Sequence, residues 1–394
     1  MTRIEKSNER VFLRDVMSLS ISAFGGPQAH IAVFHDLLVE RRKYLSEKEL
    51  IELNALCQFL PGPTSTQTIT AVGMKLGGPR LAWFTLLIWA IPACLLMTMI
   101  ALLITYFAKE GFELKLLRYV RPIAIGFISV AAYRLSRNLV KSRMEWAILI
   151  LSVTGSVLLT SAFVFPAMLI AGALISNFTN RQPLEKEVYS LKKIRWGNLY
   201  LYAAILVGAA LIGNLMQNKP VLLFENMYRF GSLVFGGGQV LIPMMFDQFV
   251  RVKSYLTADE FLAGYGLAQA IPGPVFSFAS FLGAMSFEQE GYASMLMGAV
   301  IGAVGIFLPG TLLIFFIYPA WEEMKKMRGV KRALSGINAA ACGLVIAAAI
   351  LLTKPIGFDV VNLGIVGFTF VALNHWRIPP ILLVTLGIMA GVIV

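Results

Sequence analysis

A run of hydroxyl and amide side chains follows directly after a Pro-Gly-Pro triplet early in the sequence, inside a segment that is otherwise apolar. Proline interrupts helical hydrogen bonding, so the triplet ends one helix and opens another. The first turn of the new helix presents unpaired N–H groups and a partial positive charge, which attract anions. We therefore predict an oxyanion site formed by Pro61, Gly62, Pro63, Thr64, Ser65, Thr66 and Gln67.

Glutamines accompany the backbone breaks, following a glycine pair or preceding a Pro-Gly-Pro triplet in each half of the chain. A glutamine donates hydrogen bonds to an oxyanion without carrying a charge that must be desolvated. Alternatively, the glycines only permit close helix packing and the glutamines satisfy freed backbone groups. We favour binding because the combination of break and glutamine occurs twice. The predicted positions are Gly25, Gly26, Gln28, Gln58, Gly237, Gln239 and Gln269.

The second triplet repeats the Pro-Gly-Pro break but not the polar run, because Val275 and Phe276 replace the hydroxyl residues. We therefore expect the N-terminal half to supply most polar contacts and the C-terminal half to shape and gate the site. The predicted positions of this second region are Pro272, Gly273, Pro274 and Ser277.

Three carboxylates are candidates for ion coupling: Asp36, Glu52 and Asp247. Carboxylates within membrane segments often relay protons. The alternative, which we favour for the aspartates, is that they cap or solvate helix ends, as the pattern Ser46-x-x-Glu49 does in a capping box.

The remaining polar residues indicate neither metal binding nor catalysis. His30 and His35 are five residues apart and do not share a helical face, so no metal is expected. No phosphate loop, nucleophile elbow or zinc-binding histidine pair occurs, so we expect no enzyme and no cofactor. Arg134 lies near a segment end, where it could attract an anion to the mouth of the pathway, but we favour an anchor at the membrane interface.

The elements that carry these residues belong to a membrane protein. Of 394 residues, 57% are hydrophobic and only 14% are charged, whereas soluble domains carry about 25% charged residues. The net charge of +12 is concentrated in short runs between apolar stretches, which is typical of cytoplasmic loops and does not indicate nucleic-acid binding. We read thirteen apolar segments, at roughly 11–38, 49–76, 81–107, 119–139, 144–160, 162–178, 197–216, 221–250, 259–285, 291–318, 330–352, 359–374 and 379–394.

An internal duplication organises these segments. Shifting the sequence by 211 positions aligns residues 24–63 with 235–274 without a gap, and 15 of the 40 positions are identical. Six segments, one linking segment and six more segments give the two halves opposite orientations. We therefore predict an all-α polytopic membrane protein of two homologous, inverted halves with broken or re-entrant helices at the Gly-Gly and Pro-Gly-Pro motifs. The predicted units are residues 1–180, a basic loop and linking helix at 181–220, and residues 221–394.

The basic loops also predict the orientation in the membrane. Loops 134–143, 179–196 and 319–332 carry most of the positive charge between segments, so we place them in the cytoplasm. This arrangement puts the N-terminus in the cytoplasm and the C-terminus outside. The N-terminal sequence shows no cleavable signal peptide.

The paired motifs resemble those of the chromate ion transporter family. The resemblance rests on Phe24-Gly25-Gly26-Pro27-Gln28 with the first triplet, and on Phe235-Gly236-Gly237-Gly238-Gln239 with the second. It extends over nearly the whole chain, and it implies chromate export across the bacterial inner membrane. Sulfate or another tetrahedral oxyanion is an alternative substrate, and a non-transporting membrane scaffold is an alternative of another class. The expected partners are the oxyanion and the lipid bilayer, with a homodimer left open.

Overall fold

The computed structural model describes residues 6–109, 117–159, 164–179, 196–233, 241–321 and 328–393, and these residues are almost entirely helical. Within them, four helices are long and apolar enough to cross a membrane: Pro79–Ala108, Trp196–Met216, Tyr292–Ile317 and Ser335–Ile356. The predicted all-α class is confirmed. The α-helices in chain order are α1 (Lys6–Ser22), α2 (Gly26–Phe34), α3 (Glu47–Phe59), α4 (Thr64–Gly77), α5 (Pro79–Lys109), α6 (Val120–Leu139), α7 (Arg143–Leu158), α8 (Val164–Thr179), α9 (Trp196–Met216), α10 (Lys219–Leu233), α11 (Leu241–Phe246), α12 (Ala258–Ala270), α13 (Phe278–Met285), α14 (Tyr292–Ile317), α15 (Arg328–Ile356), α16 (Val360–Asn374) and α17 (Pro380–Ile393).

Each of the four broken segments contains two α-helices in place of one. Gly25 and Gly26 separate α1 from α2 with φ values of 93° and 79°. Gly62 and Gly273 stand in the two Pro-Gly-Pro turns with φ values of 141° and 95°. An L-residue with a side chain rarely adopts such φ values, so glycine is what allows the chain to turn at these points. The glycine-rich break before α11 lies outside the described residues.

The duplication is visible in local geometry as well as in sequence. After α2 and α11 the chain continues as π-helical turns, His35–Arg41 and Asp247–Val252. Capping boxes then start α3 at Ser46 and α12 at Thr257, so the predicted cap is confirmed. Both caps lie 211 residues apart, as do helices α3 and α12. The two homologous halves are confirmed, and their inverted orientation stays a prediction.

The second Pro-Gly-Pro turn packs onto the first half of the chain. The backbone N–H of Gly273 donates to the carbonyl oxygen of Ala23, at the end of α1, over 2.9 Å. A Cβ atom at Gly273 would lie 3.0 Å from Cβ of Ala93 and 3.2 Å from the carbonyl oxygen of Ser20. Ala93 follows Pro92 in the middle of α5.

The first Pro-Gly-Pro turn makes the reciprocal contact with the second half. Nε2 of Gln67 donates to the carbonyl oxygens of Pro61, at 2.8 Å, and of Gly310, at 3.3 Å. Gly310 follows Pro309 in the C-terminal part of α14. Each triplet therefore packs near the proline within the long helix of the other half, which joins the two halves at their broken segments.

The surface of the helices is apolar where lipid would cover it. Only Ala209 and Gly213 are buried within α9, and large side chains such as Tyr200, Leu211 and Leu215 are exposed. Monomeric soluble proteins rarely expose so contiguous an apolar surface. The exposed face of α9 thus fits a position at the membrane-facing edge of the protein.

Replacing Gly172 with alanine is expected to destabilise the protein. A Cβ atom at Gly172 in α8 would lie 2.5 Å from the carbonyl oxygen of Gly336 and 2.9 Å from Cβ of Ala340, both in α15. Overpacking of this kind costs about 1–3 kcal/mol. Thermal unfolding in detergent measures the effect. Gly208→Ala in α9 is the control, because its Cβ atom meets nothing within 4 Å; equal midpoints for the two variants would contradict the prediction.

Candidate functional site

A cavity of about 480 Å³ opens between the broken segments of the first half and helices of both halves. The breaks around α2 and α4 form one wall, α6 forms a second, and parts of α12, α15, α16 and α17 complete it. Its lining combines polar side chains with an apolar remainder. The polar and glycine residues of the lining are Gly25, Gly26, Asn54, Gln58, Thr64, Arg134, Asn138, Gln269 and Asn338.

Two helix N-termini begin at the wall of this cavity. Helix α2 starts at Gly26 after the N-cap Gly25, and α4 starts at Thr64 after the N-cap Pro63. Neither N-cap residue satisfies the first turn with a side-chain hydrogen bond. The unpaired N–H groups of both helices therefore give this wall the partial positive charge that binds anions.

Arg134 is the charged side chain among the described residues that line the cavity. One nitrogen of its guanidinium group donates to the carbonyl oxygen of Leu373, at the end of α16, over 2.6 Å. No described carboxylate lies within 4 Å of it, and a second cation, Arg377, is close enough to interact with it electrostatically. A carbonyl oxygen thus orients Arg134 without neutralising its charge.

Five carboxamides add hydrogen-bond donors to the lining: Asn54, Gln58, Asn138, Gln269 and Asn338. The carbonyl oxygen of Asn54 accepts from the hydroxyl of Thr68 at 3.3 Å, which leaves its two N–H donors for other partners. Nε2 of Gln269 donates to the hydroxyl of Tyr265 at 2.8 Å, which fixes the orientation of that side chain. Among the described residues, the lining has one cation, many neutral donors and no carboxylate, which is suited to an oxyanion.

The sequence as a whole matches a known family. The chromate transporter profile matches residues 11–215 and, a second time, residues 221–392. The chain belongs to the chromate transporter family. This transporter therefore shows the duplication of its family in both sequence and structure, and the resemblance of the paired motifs is confirmed.

Several named relatives align with most of this chain. An uncharacterized transporter of Methanocaldococcus jannaschii is 24% identical over 100% of this chain and 96% of its own length. A probable chromate transport protein of Synechococcus elongatus is 25% identical over 96% of this chain and 93% of its own. A chromate transport protein of Cupriavidus metallidurans is 26% identical over 86% of this chain and 81% of its own. No solved structure matches the chain.

In the polar run after the first triplet, one residue lines the cavity and three others make hydrogen bonds within the protein. Thr64 lines the cavity of this transporter. Ser65 lies 3.1 Å from Nδ1 of His30, and Thr66 accepts from Nε1 of Trp89 at 3.2 Å. Gln67 bridges the first triplet to α14, as described above. These three side chains are buried behind Thr64, where their hydrogen bonds hold the start of α4 in place.

The other predicted binding positions lie at different distances from the cavity. Gly25, Gly26, Gln58 and Gln269 join Thr64 in its lining. Neither Pro-Gly-Pro triplet is in the lining. Ser277 is buried with no hydrogen-bond partner for its hydroxyl among the described residues. Gly237 and Gln239 lie outside the described residues, as does the side chain of Gln28. A binding role for all of these residues stays a prediction.

None of the three candidate coupling carboxylates lines the cavity. The side chain of Asp36 pairs with Arg41 at 2.8 Å and is 54% exposed, and Asp247 lies 3.7 Å from Arg251. Both aspartates lie in the first turn of the π-helical segments that follow α2 and α11. Glu52 lies in α3 and is partly buried. Ion coupling through these carboxylates stays a prediction.

The sequence-based prediction left four polar lining residues out of the site: Asn54, Arg134, Asn138 and Asn338. Arg134 lines the cavity, where its guanidinium group donates to the carbonyl oxygen of Leu373. Its interpretation as an interface anchor stays a prediction. Asn138 lies one helical turn beyond Arg134 on α6. Residues with this i, i+4 spacing share a helical face, so the sequence could have indicated that both line one polar surface.

Proposed function

We propose that this transporter exports chromate from the cytoplasm through the cavity between its two halves. The observation that carries the proposal is Arg134, a cation with no carboxylate partner among the described residues, in a cavity where two uncapped helices begin. Chromate is a tetrahedral dianion with four acceptor oxygens, and the donors around the cavity suit that chemistry. Relatives named chromate transport proteins favour chromate over sulfate as the substrate.

The position of the cavity supports export. It lies toward the end of α6, at Asn138 and Leu139, and toward the loop between α16 and α17, at Leu373 and Pro380. The basic loop after α6 is cytoplasmic by the positive-inside rule, and the N-terminus then lies on the same side of a bacterial inner membrane. The cavity is thus open to a substrate that arrives from the cytoplasm.

The membrane potential favours the same direction. Moving a dianion out of a cell whose interior is negative by about 100 mV is favourable by about 4.6 kcal/mol. Export therefore requires no coupled cation, whereas uptake of the same anion would require one. We propose alternating access between the two inverted halves, with the oxyanion bound where the broken helices meet.

Inside-out vesicles that contain the protein test this function. With a lumen-positive potential set by potassium and valinomycin, labelled chromate should enter saturably, and reversal of the potential should prevent accumulation. Sulfate is titrated as a competitor, and vesicles without the protein are the control. Preference for sulfate over chromate would support the general oxyanion alternative. Folded protein that moves neither anion would contradict the transport proposal and leave the scaffold interpretation.

A further inference from the structure

His30 is buried directly behind the cavity wall. It lies in α2, one helical turn after Gly26, and its side chain is almost fully enclosed. Its ring meets the ring of Trp89 in α5 edge-on, with 5.3 Å between centroids. Its neighbours in sequence, Ala29 and Ile31, line the cavity, whereas the imidazole points away from it into the protein.

The imidazole of His30 lies near the ends of two other helices. Its Nδ1 atom lies 3.1 Å from Oγ of Ser65, in the first turn of α4. The carbonyl oxygen of Ala23, at the end of α1, is also close to the ring. That carbonyl oxygen accepts the N–H of Gly273, by which the second Pro-Gly-Pro turn docks onto the first half. A single side chain therefore joins α2 to both elements that flank the cavity wall.

Packing alone does not explain a histidine at this position. Nε2 of His30 has no hydrogen-bond partner among the described residues, and a buried nitrogen without a partner is unfavourable. A leucine or phenylalanine would fill the space without that cost. The ring nitrogen that hydrogen-bonds to another side chain is Nδ1, and its partner is Ser65, the residue that follows Thr64.

We infer that His30 is a positioning residue for the oxyanion site. Through Ser65 it fixes the distance between the start of α2, with Gly25 and Gly26, and the start of α4, with Thr64. Those two helix N-termini must face the same anion if both are to bind it, so their spacing determines the affinity. The inference rests on the proposed function and adds to it a residue that contacts no substrate.

Chromate transport by His30 variants tests this role. His30→Leu keeps the bulk and loses the hydrogen bond, so KM should rise roughly tenfold, the effect of one lost hydrogen bond, with little change in maximal rate. His30→Asn places an amide near the position of Nδ1 and should recover most of the affinity. Ser65→Ala should match His30→Leu, and the double variant should be no worse than either single variant.

A labelling experiment separates this inference from the proposed function. Ala29→Cys places a thiol in the cavity wall, and its reaction rate with a small thiol reagent should change several-fold when His30→Leu is added. This rate is measured without transport, so it remains informative if the wild type moves neither chromate nor sulfate. An unchanged KM and labelling rate in His30→Leu, or equal losses in the leucine and asparagine variants, would overturn the positioning role.

Discussion

Replacing Arg134 with alanine is expected to lower chromate transport about 100-fold or more. A partly buried charge that donates to an oxyanion contributes about 3 kcal/mol, and that loss corresponds to about two orders of magnitude in affinity. No described cation among the other lining residues can replace it. The measurement is initial uptake into inside-out vesicles over a range of chromate concentrations, with the loss expected in KM as well as in rate.

Two further variants make the Arg134 experiment specific. Arg134→Lys retains the charge but loses the planar pair of donors, so transport should be partly retained. Arg137→Ala is the matched control, because Arg137 lies three residues further along α6, is exposed and does not line the cavity. Near-normal transport by a folded Arg134→Ala variant would contradict the assignment of this residue to the anion site.

The helices and their breaks follow from local chemistry, which is why the sequence predicts them. Apolar length identifies the spans, and glycine or proline marks where each broken segment divides. Thr64 illustrates the success, since Pro63 ends one helix and α4 begins at the next residue. The contact of each triplet with the long helix of the other half was not predictable in the same way. It depends on how α5 and α14 pack against the broken segments in three dimensions.

The composition of the site was only partly predictable because helical geometry selects among neighbouring residues. Successive residues of a helix point about 100° apart, so a run such as Thr64–Thr68 cannot present every side chain to one cavity. Thr64 faces the cavity, and the following hydroxyls support it from behind. Arg134 and Asn338 lie far apart in sequence, and only the packing of α6 and α15 around the broken segments brings them to the same cavity.

The two halves are related in backbone but differ in chemistry. The positions equivalent to Thr64 and Ser65 are Val275 and Phe276, and most of the described lining belongs to the first half. The second half contributes Gln269, Asn338 and the carbonyl oxygen that orients Arg134. Its Pro-Gly-Pro turn supports the first half at the end of α1. The expectation that the second half shapes the site stays a prediction, and the contact of the second turn with α1 makes Gly273 the position at which to test it.

Gly273→Ala is expected to abolish transport and to lower stability more than a comparable glycine substitution elsewhere. Its φ of 95° costs about 1–2 kcal/mol for a residue with a side chain. The new Cβ atom would also press on Ala93 and on the carbonyl oxygen of Ser20, and neither group can rotate away. Overpacking adds about 1–3 kcal/mol, relieved only by moving the turn away from α1 and α5.

Gly291→Ala separates packing from backbone strain. Gly291 has a φ of 92°, almost the same as Gly273, but a Cβ atom there would meet nothing within 4 Å. Its substitution should therefore show the strain alone, with a small loss of thermal stability and near-normal transport. Equal losses of stability and transport in the two variants would mean that the contact between the second triplet and the first half does not contribute to either. A loss confined to Gly273→Ala would show that docking of the two broken segments maintains the oxyanion site.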